Sequence, residues 1–240
     1  MWLADRLISD DYFNFVNECV EKKNISNFKT DQRYNRIVGM SNKSQFDVWD
    51  EFFKDIMLNN IEECKRNDIS ITPEIYMSNK FGNISSSTLR YMYTSYDITN
   101  KFTNIKSVLE IGIGYGGLCY ILSQFINLSE YKLVDVEIVK KFAVLYLDSL
   151  NIDNYKINHD DESDLLISEF CFSEFSDDMM MEFYNKYISK TKNIYLVMNL
   201  HDEHRKLYWK NILSNKFNLF EIDEFPKTQW PNYIWYGSIK

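Results

Sequence analysis

The chain lacks what several function classes require. Its four cysteines, Cys19, Cys64, Cys119 and Cys171, are scattered without a CxxC pair, so their spacing supports neither a zinc site nor a redox motif. Reduced thiols in a cytoplasm are the expected state. No apolar run approaches the roughly 18 residues of a membrane helix. The first residues, MWLADRLISDD, carry charges where a secretory leader has a continuous apolar stretch, so no leader is expected. Basic charge is scarce too: 27 Lys and Arg stand against 35 Asp and Glu, a net charge of −8 with no basic tract. Affinity for a phosphate backbone comes from Lys and Arg, so nucleic acid is not an expected partner. Glycine is rare, 7 in 240 residues, and its distribution is therefore informative.

Four of the seven glycines fall inside the segment VLEIGIGYGG, residues 108–117. The apolar run VLEI enters the cluster and the helical pattern LCYILSQFI leaves it. Strand, glycine turn and helix form the unit that lets a nucleotide-like ligand lie against bare backbone. A mere turn needs one glycine, not four. Further on, YKLVDV (131–136) is a second strand with Asp135 at its carboxyl end, where a carboxylate accepts both hydroxyls of a ribose.

The two parts of the chain differ in pattern. Residues 1–100 contain only Gly39 and Gly82 and show helical periodicity. A first helix carries Tyr12, Phe13, Phe15, Val16 and Val20, with Ser9 as its N-cap. A second runs from about 44 to 65 on a stripe of Phe46, Trp49, Phe52, Phe53, Ile56, Met57 and Ile61. An irregular polar stretch with Pro73 and Gly82 follows, and TLRYMYTSYDITNKF (88–102) is helical again. This region is expected to be a helical cap that shapes an acceptor site, residues 1–100. Residues 101–240 are expected to form an α/β domain.

In that domain, strands at 107–112, 131–136, 164–168 and 193–199 alternate with helices at 117–127, 138–150, 175–190 and 203–214. The runs FNLFEIDEF (217–225) and YIWYGSI (233–239) end the chain as an antiparallel hairpin at one edge of a mostly parallel sheet. Residues 155–159 resemble a strand but stand too close to the strand at Asp164 for an ordinary crossover of about 10–12 residues. They are either not a sheet strand or the crossover itself.

With these residues in place, the chain resembles the class I S-adenosylmethionine-dependent methyltransferases. The form Glu110-Ile-Gly112-Ile-Gly114-Tyr-Gly116 is closer to that family's turn than to the GxGxxG of NAD enzymes. Together with RYNRIVGMS (33–41), STLRYM (87–92), LVDVE, YLDSL and DLLISEFCFSEF (164–175), it resembles the bacterial sugar O-methyltransferases, from about residue 33 onward. The chain departs from that pattern at Glu169-Phe170, where the family has Asn-Tyr, and at Ile69-Ser-Ile-Thr72, where it has a glycine. The resemblance implies a Rossmann-like methyltransferase sheet and S-adenosylmethionine as cofactor. It also implies a sugar or nucleotide-linked sugar of a surface polysaccharide as acceptor.

Gly112, Gly114, Tyr115 and Gly116 are the expected cradle for the methionine part of the cofactor. Glu110 orders the turn or the cofactor's ammonium, or is a buried structural anion. Val136 is expected under the adenine, with Asn158, His159 or Asp160 at its edge or in a plain surface loop. Ser168 is expected at the open edge of the sheet. Methylating a hydroxyl needs a group that removes its proton. Glu174 and His201 are the candidates for that role, each with a bland alternative as a helix-terminal charge and a loop histidine. Arg90 and Tyr91 are expected to bind substrate, or Arg90 to tie the cap down. No metal is expected. Alternatives are methylation of another small polar group, a methyltransferase-like binding module without activity, and an NAD-dependent sugar enzyme.

Overall fold

Helical periodicity in the first hundred residues resolves into α1 (Asp10–Lys22), α2 (Gln32–Val38), α3 (Lys43–Phe53), α4 (Ile61–Lys65) and α5 (Ser86–Lys101). The computed structural model describes residues 10–38, 42–58, 60–68, 75–157, 162–227 and 232–240; Ser9 lies outside them. The described residues fall into two compact units. The first consists of Met1–Lys101, Ile113–Asn127 and Asp135–Asp153. The second consists of Phe102–Gly112, Leu128–Val134 and Asn154–Lys240.

In the first unit, α1 buries Tyr12, Phe15, Val16 and Cys19, the i, i+3, i+4, i+7 stripe of an amphipathic helix. Phe15 meets Phe142 of α7 (Glu137–Ser149, after α6, Gly117–Phe125) edge-on, with centroids 6.1 Å apart. Helix α3 opens in a capping box: the Asn42 side chain accepts from Gln45 N, and the Gln45 side chain accepts from Asn42 N.

The helix expected from 44 to 65 is two helices. It stops at Phe53 although residues 54–60 contain neither glycine nor proline. The cause is remote. The Lys80 ammonium donates to the carbonyls of Phe53, Lys54 and Ile56 at 2.6, 3.0 and 2.6 Å, satisfying the end of the helix. Lys80 sits in the turn of a hairpin, β1 (Ile75–Ser78) and β2 (Gly82–Ser85), inside the segment expected to be irregular. The Ser85 hydroxyl then accepts from Thr88 N at 3.0 Å and starts α5.

The second unit holds a seven-stranded sheet. Its strands are β3 (Ser107–Ile111), β4 (Glu130–Val134), β5 (Tyr155–Ile157), β6 (Ser163–Glu169), β7 (Thr191–Met198), β8 (Phe217–Asp223) and β9 (Tyr233–Ile239). Their order is β5-β4-β3-β6-β7-β9-β8. The first five are parallel, and β9 and β8 close the edge as the expected antiparallel hairpin. Residues 155–157 pair in register with β4, Lys132 opposite Lys156, so this piece is a sheet strand. Val108, Leu109, Glu110 and Ile111 are all buried, as a parallel strand covered on both faces must be.

A short α8 (Cys171–Glu174), unforeseen, precedes α9 (Asp177–Lys186) and α10 (Glu203–Lys216), which stand where helices were expected at 175–190 and 203–214. Met180, Phe183, Trp209 and Leu213 from α9 and α10 join Leu109, Leu166, Ile194, Leu196 and Trp235 from alternate strand positions in one apolar core. Asp202 caps α10 by accepting from Arg205 N at 2.8 Å.

Candidate functional site

Three of the four glycines in the turn share a positive φ, Gly112 at +82° among them, and each of the four has its own steric surroundings. Gly114 and Gly116 have φ of +51° and +87°, the left-handed region that a side chain disfavours. At Gly112, in the second unit, a Cβ would come within 2.2 Å of the Cys171 Cβ. At Gly117 a Cβ would strike the Tyr115 ring at 2.4 Å. A Cβ at Gly116 would press on Leu147 at 3.2 Å. Gly114 differs from its neighbours, because a Cβ there would meet no atom of the described residues within 4 Å. Its bare main chain faces open space.

Asp135 completes this part of the first unit. Its carboxylate accepts from the N–H of Val136 at 2.8 Å and from the backbone N–H groups of Ile113 and Gly114. The carboxylate therefore lies against the glycine turn, across 21 residues of sequence from Gly114. Burial pushes its pKa up to about 6, against the opposing pull of those three N–H donors and of Lys140. A carboxylate has about four lone-pair directions, so accepting a vicinal diol as well requires sharing one of them or loosening a turn donor. Val136 is the N-cap residue of α7. Tyr12 of α1 is buried, and Asp135 is the next influence after burial that raises its phenol above the ordinary range. Sequence reasoning did not select Tyr12, which reads as one more apolar position of its helix.

Tyr115 points inward from the turn. Its ring is 1% exposed and its hydroxyl bonds to the Asn67 side chain at 3.1 Å. The Tyr91 ring of α5 meets it edge-on at 6.1 Å. Arg90 is half-buried on the same helix. Asn67 was not singled out from sequence, since nothing in a polar stretch marks one asparagine as fully buried.

In the second unit, Glu110 is buried on β3 and its carboxylate accepts from Tyr131 Oη at 2.7 Å. Ser168 is fully buried at the end of β6. Its hydroxyl donates to the Ile111 carbonyl and accepts from Phe172 N, both at 3.0 Å, which locks the ends of β3 and β6 together. The next turn is strained at Phe170, with φ +66°. Its carbonyl accepts from Ser173 N at 3.0 Å and from Ser173 Oγ at 2.6 Å.

That turn delivers Glu174 to the carboxyl-end rim. Glu174 is exposed as a residue, yet crowding around its carboxyl raises its pKa, partly offset by a hydrogen bond from the Asn199 side chain. Asn199 Oδ1 lies 2.5 Å from Ser173 Oγ, whose single proton is shared between this oxygen and the Phe170 carbonyl. Replacing Asn199 with Ala removes the group that favours the carboxylate, so the Glu174 midpoint is expected to move further up. A carbon-13 NMR titration of labelled glutamate carboxyls checks this, with an unmoved midpoint as the contrary result. His201 is exposed between β7 and α10. His159 and Trp230 lie outside the described residues, and Asn232 is engaged with Glu224 Oε2 at 2.9 Å. Among the described residues, no group of three or more His, Cys, Asp and Glu is arranged to hold a metal.

No protein-family model matches this chain, and no curated protein matches it. Solved structures do. The methyltransferase domain of bacterial CtHen1 superposes with a TM-score of 0.51 at 12% identity, covering 62% of this chain and 97% of that one. The mitomycin 7-O-methyltransferase MmcR gives 0.46 at 16% identity, over 65% of this chain and 56% of that one. An rRNA methylase from Streptococcus thermophilus gives 0.48 at 11%, over 61% and 94%. The parallel sheet, its closing antiparallel hairpin and the first of these superpositions identify the fold as the Rossmann-like methyltransferase fold.

Proposed function

We propose that this protein binds S-adenosylmethionine at the Ile113–Gly117 turn and Asp135, and transfers its methyl to a hydroxyl oxygen of a small acceptor. The observation that carries the reading is the pairing of Asp135 with the turn: a carboxylate bonded to Ile113 and Gly114 N–H, beside a glycine whose missing side chain faces open space. These residues fit the cofactor. A ribose diol needs an anionic acceptor, and the methionine part needs main chain that it can approach closely. Gly112, Gly116, Tyr115, Val136, Glu110, Ser168 and His159 are assigned to holding or shaping that site.

When bound, the cofactor supplies an activated methyl whose bond to sulfur breaks with the electron pair staying on sulfur. The chain must then orient the acceptor oxygen and take its proton, a contribution of about 10²–10⁴-fold from a general base. We assign that role to Glu174, whose raised pKa makes it a better proton acceptor than an ordinary carboxylate, with His201 as the other candidate. Arg90 and Tyr91, within the cap of residues 1–100, are assigned to the acceptor.

The net charge of −8 favours a small hydroxylated molecule over a nucleic acid. The motifs STLRYM and DLLISEFCFSEF, by their resemblance, favour a sugar or sugar-linked precursor of a bacterial surface polysaccharide. All four cysteines are reduced thiols, which suits a cytoplasmic protein. Among the described residues, no helix is long and apolar enough to cross a membrane.

Isothermal titration with S-adenosylhomocysteine tests the cofactor assignment. Binding is expected at neutral pH and should weaken about tenfold per unit below pH 6, because the ribose needs Asp135 ionised. Absence of binding heat at neutral pH refutes the reading and favours a scaffold. Binding of NAD instead would favour the sugar dehydrogenase alternative.

A further inference from the structure

A heavily buried polar cluster of the first unit, Lys29, Asn67 and Asp68, lies against Tyr115 of the turn. Lys29 is 3% exposed and Asn67 is fully buried. The Lys29 ammonium donates to the Asn67 carbonyl at 2.6 Å, lies 3.7 Å from Asp68 Oδ1, and sits 4.9 Å from the centroid of the Tyr115 ring. The Asn67 amide donates to Thr88 Oγ1 at 2.8 Å and to Tyr115 Oη at 3.1 Å, while its Oδ1 accepts from Tyr146 Oη at 2.5 Å. Asp68 accepts from Ser85 N at 2.8 Å, from Ser85 Oγ at 2.5 Å and from Thr88 Oγ1 at 2.8 Å.

A buried ion pair is a poor device for stability alone. Removing two charges from water opposes folding, and an apolar replacement of similar volume is often neutral or better. What such a cluster does well is fix geometry, because every member has one arrangement in which all donors and acceptors are used. Here its members converge on two elements. One is Tyr115, held by the Asn67 amide at its hydroxyl and by the Lys29 ammonium at its ring. The other is the start of α5, held by Asp68 through Ser85 and Thr88. The Tyr115 ring lies directly over Gly117, where no side chain fits beneath it. Fixing that ring therefore fixes the main chain on either side of it, including Gly114, one residue before.

We propose that Lys29, Asn67 and Asp68 are positioning residues for the cofactor site. They hold Tyr115, and through it the Ile113–Gly117 turn, in the form whose N–H groups and bare Gly114 receive the ligand. The inference rests on the cofactor assignment made above and adds these three residues to it. It also explains why Tyr115, buried and turned inward, occupies the middle of a turn otherwise made of small residues.

Tyr115→Phe is the least disruptive probe, since it keeps the ring and removes only the hydroxyl that Asn67 holds. Lys29→Met keeps length and removes the ammonium. Both are read by S-adenosylhomocysteine titration well below the unfolding temperature, and by amide hydrogen exchange at Ile113 and Gly114 without ligand. The expected result is a loss of affinity of roughly tenfold in each variant, with faster exchange at those two amides. A role confined to stability would lower the melting temperature and leave both readouts of the folded protein unchanged, which would overturn the proposal. If the wild type itself fails to bind, the cofactor assignment fails, and unchanged exchange in Tyr115→Phe would dispose of the positioning claim separately. Should Lys29→Met not fold, the Tyr115→Phe exchange rates decide.

Discussion

Replacing Asp135 with Asn is expected to abolish measurable cofactor binding and, at the same time, to make the unliganded protein harder to melt. The first effect follows from charge. Two ribose hydroxyls donating to a carboxylate are charge-assisted bonds worth about 1.5–3 kcal/mol each, so losing the anion should weaken S-adenosylhomocysteine binding at least a hundredfold. The second follows from the raised pKa. Asp135 titrates at about 6 in the folded chain against 3.8 as the ordinary value. A carboxyl with its pKa raised by folding supports the native state below pH 3.8, and that support is lost as the pH rises through 6. At neutral pH the buried anion thus opposes folding by roughly 1–3 kcal/mol. Asn carries no charge and still presents one oxygen to the turn. Its melting temperature should exceed that of the wild type by several degrees at pH 7.5, since about 1 kcal/mol moves a chain of this size by 2–4 °C. The gain should vanish near pH 4, where the wild-type carboxyl is mostly protonated. A scanning fluorimetry series across pH measures it, and a variant less stable than wild type at pH 7.5 would contradict the electrostatic account.

Two glycine substitutions in the same turn should fail in opposite ways. Gly114→Asn places a side chain in open space, at a left-handed φ that asparagine tolerates better than most residues. Stability should change by no more than about 1 kcal/mol. Affinity for S-adenosylhomocysteine should fall beyond detection, because the new side chain occupies the approach to the main chain. Gly117→Ala places a methyl 2.4 Å from the Tyr115 ring, in a packed interior that cannot yield without disturbing Asn67 and Lys29. Overpacking of this kind typically destabilises by about 1–3 kcal/mol, and the melting temperature should drop accordingly. Titration and melting of the two variants side by side separate the glycine that faces a ligand from the glycine that faces the core. Equal affinity in Gly114→Asn and wild type would remove the cofactor from this turn.

The sheet was legible in the sequence because its signal is local. A buried parallel strand such as Val108–Ile111 is a short apolar run, and the breaks between runs are where strands end. What escaped depended on residues far along the chain. The break after Phe53 is held by Lys80, whose ammonium donates to three carbonyls there, and no nearby residue announces it. The hairpin at 75–85 hides in polar sequence since few of its strand residues are buried, Ser78, Ile84 and Ser85, and they show no apolar alternation. At the site, Asp135 was legible by position and spacing. Its bonds to Ile113 and Gly114 were not, because contact between a strand end and a turn is set by the fold. Asn67, Lys29 and Asn199 left no trace in the sequence for the same reason: burial makes a polar side chain consequential, and burial is not written in residue type.

The chain visits the first of its two compact units three times, at Met1–Lys101, Ile113–Asn127 and Asp135–Asp153. No single scission can free either unit as a continuous fragment, and no single splice can graft one onto a foreign host. Cassette exchange, the quick route by which enzymes acquire new acceptors, would have to transplant three separated gene segments at once. Either unit is therefore altered more directly by point substitution than by exchange of a single segment.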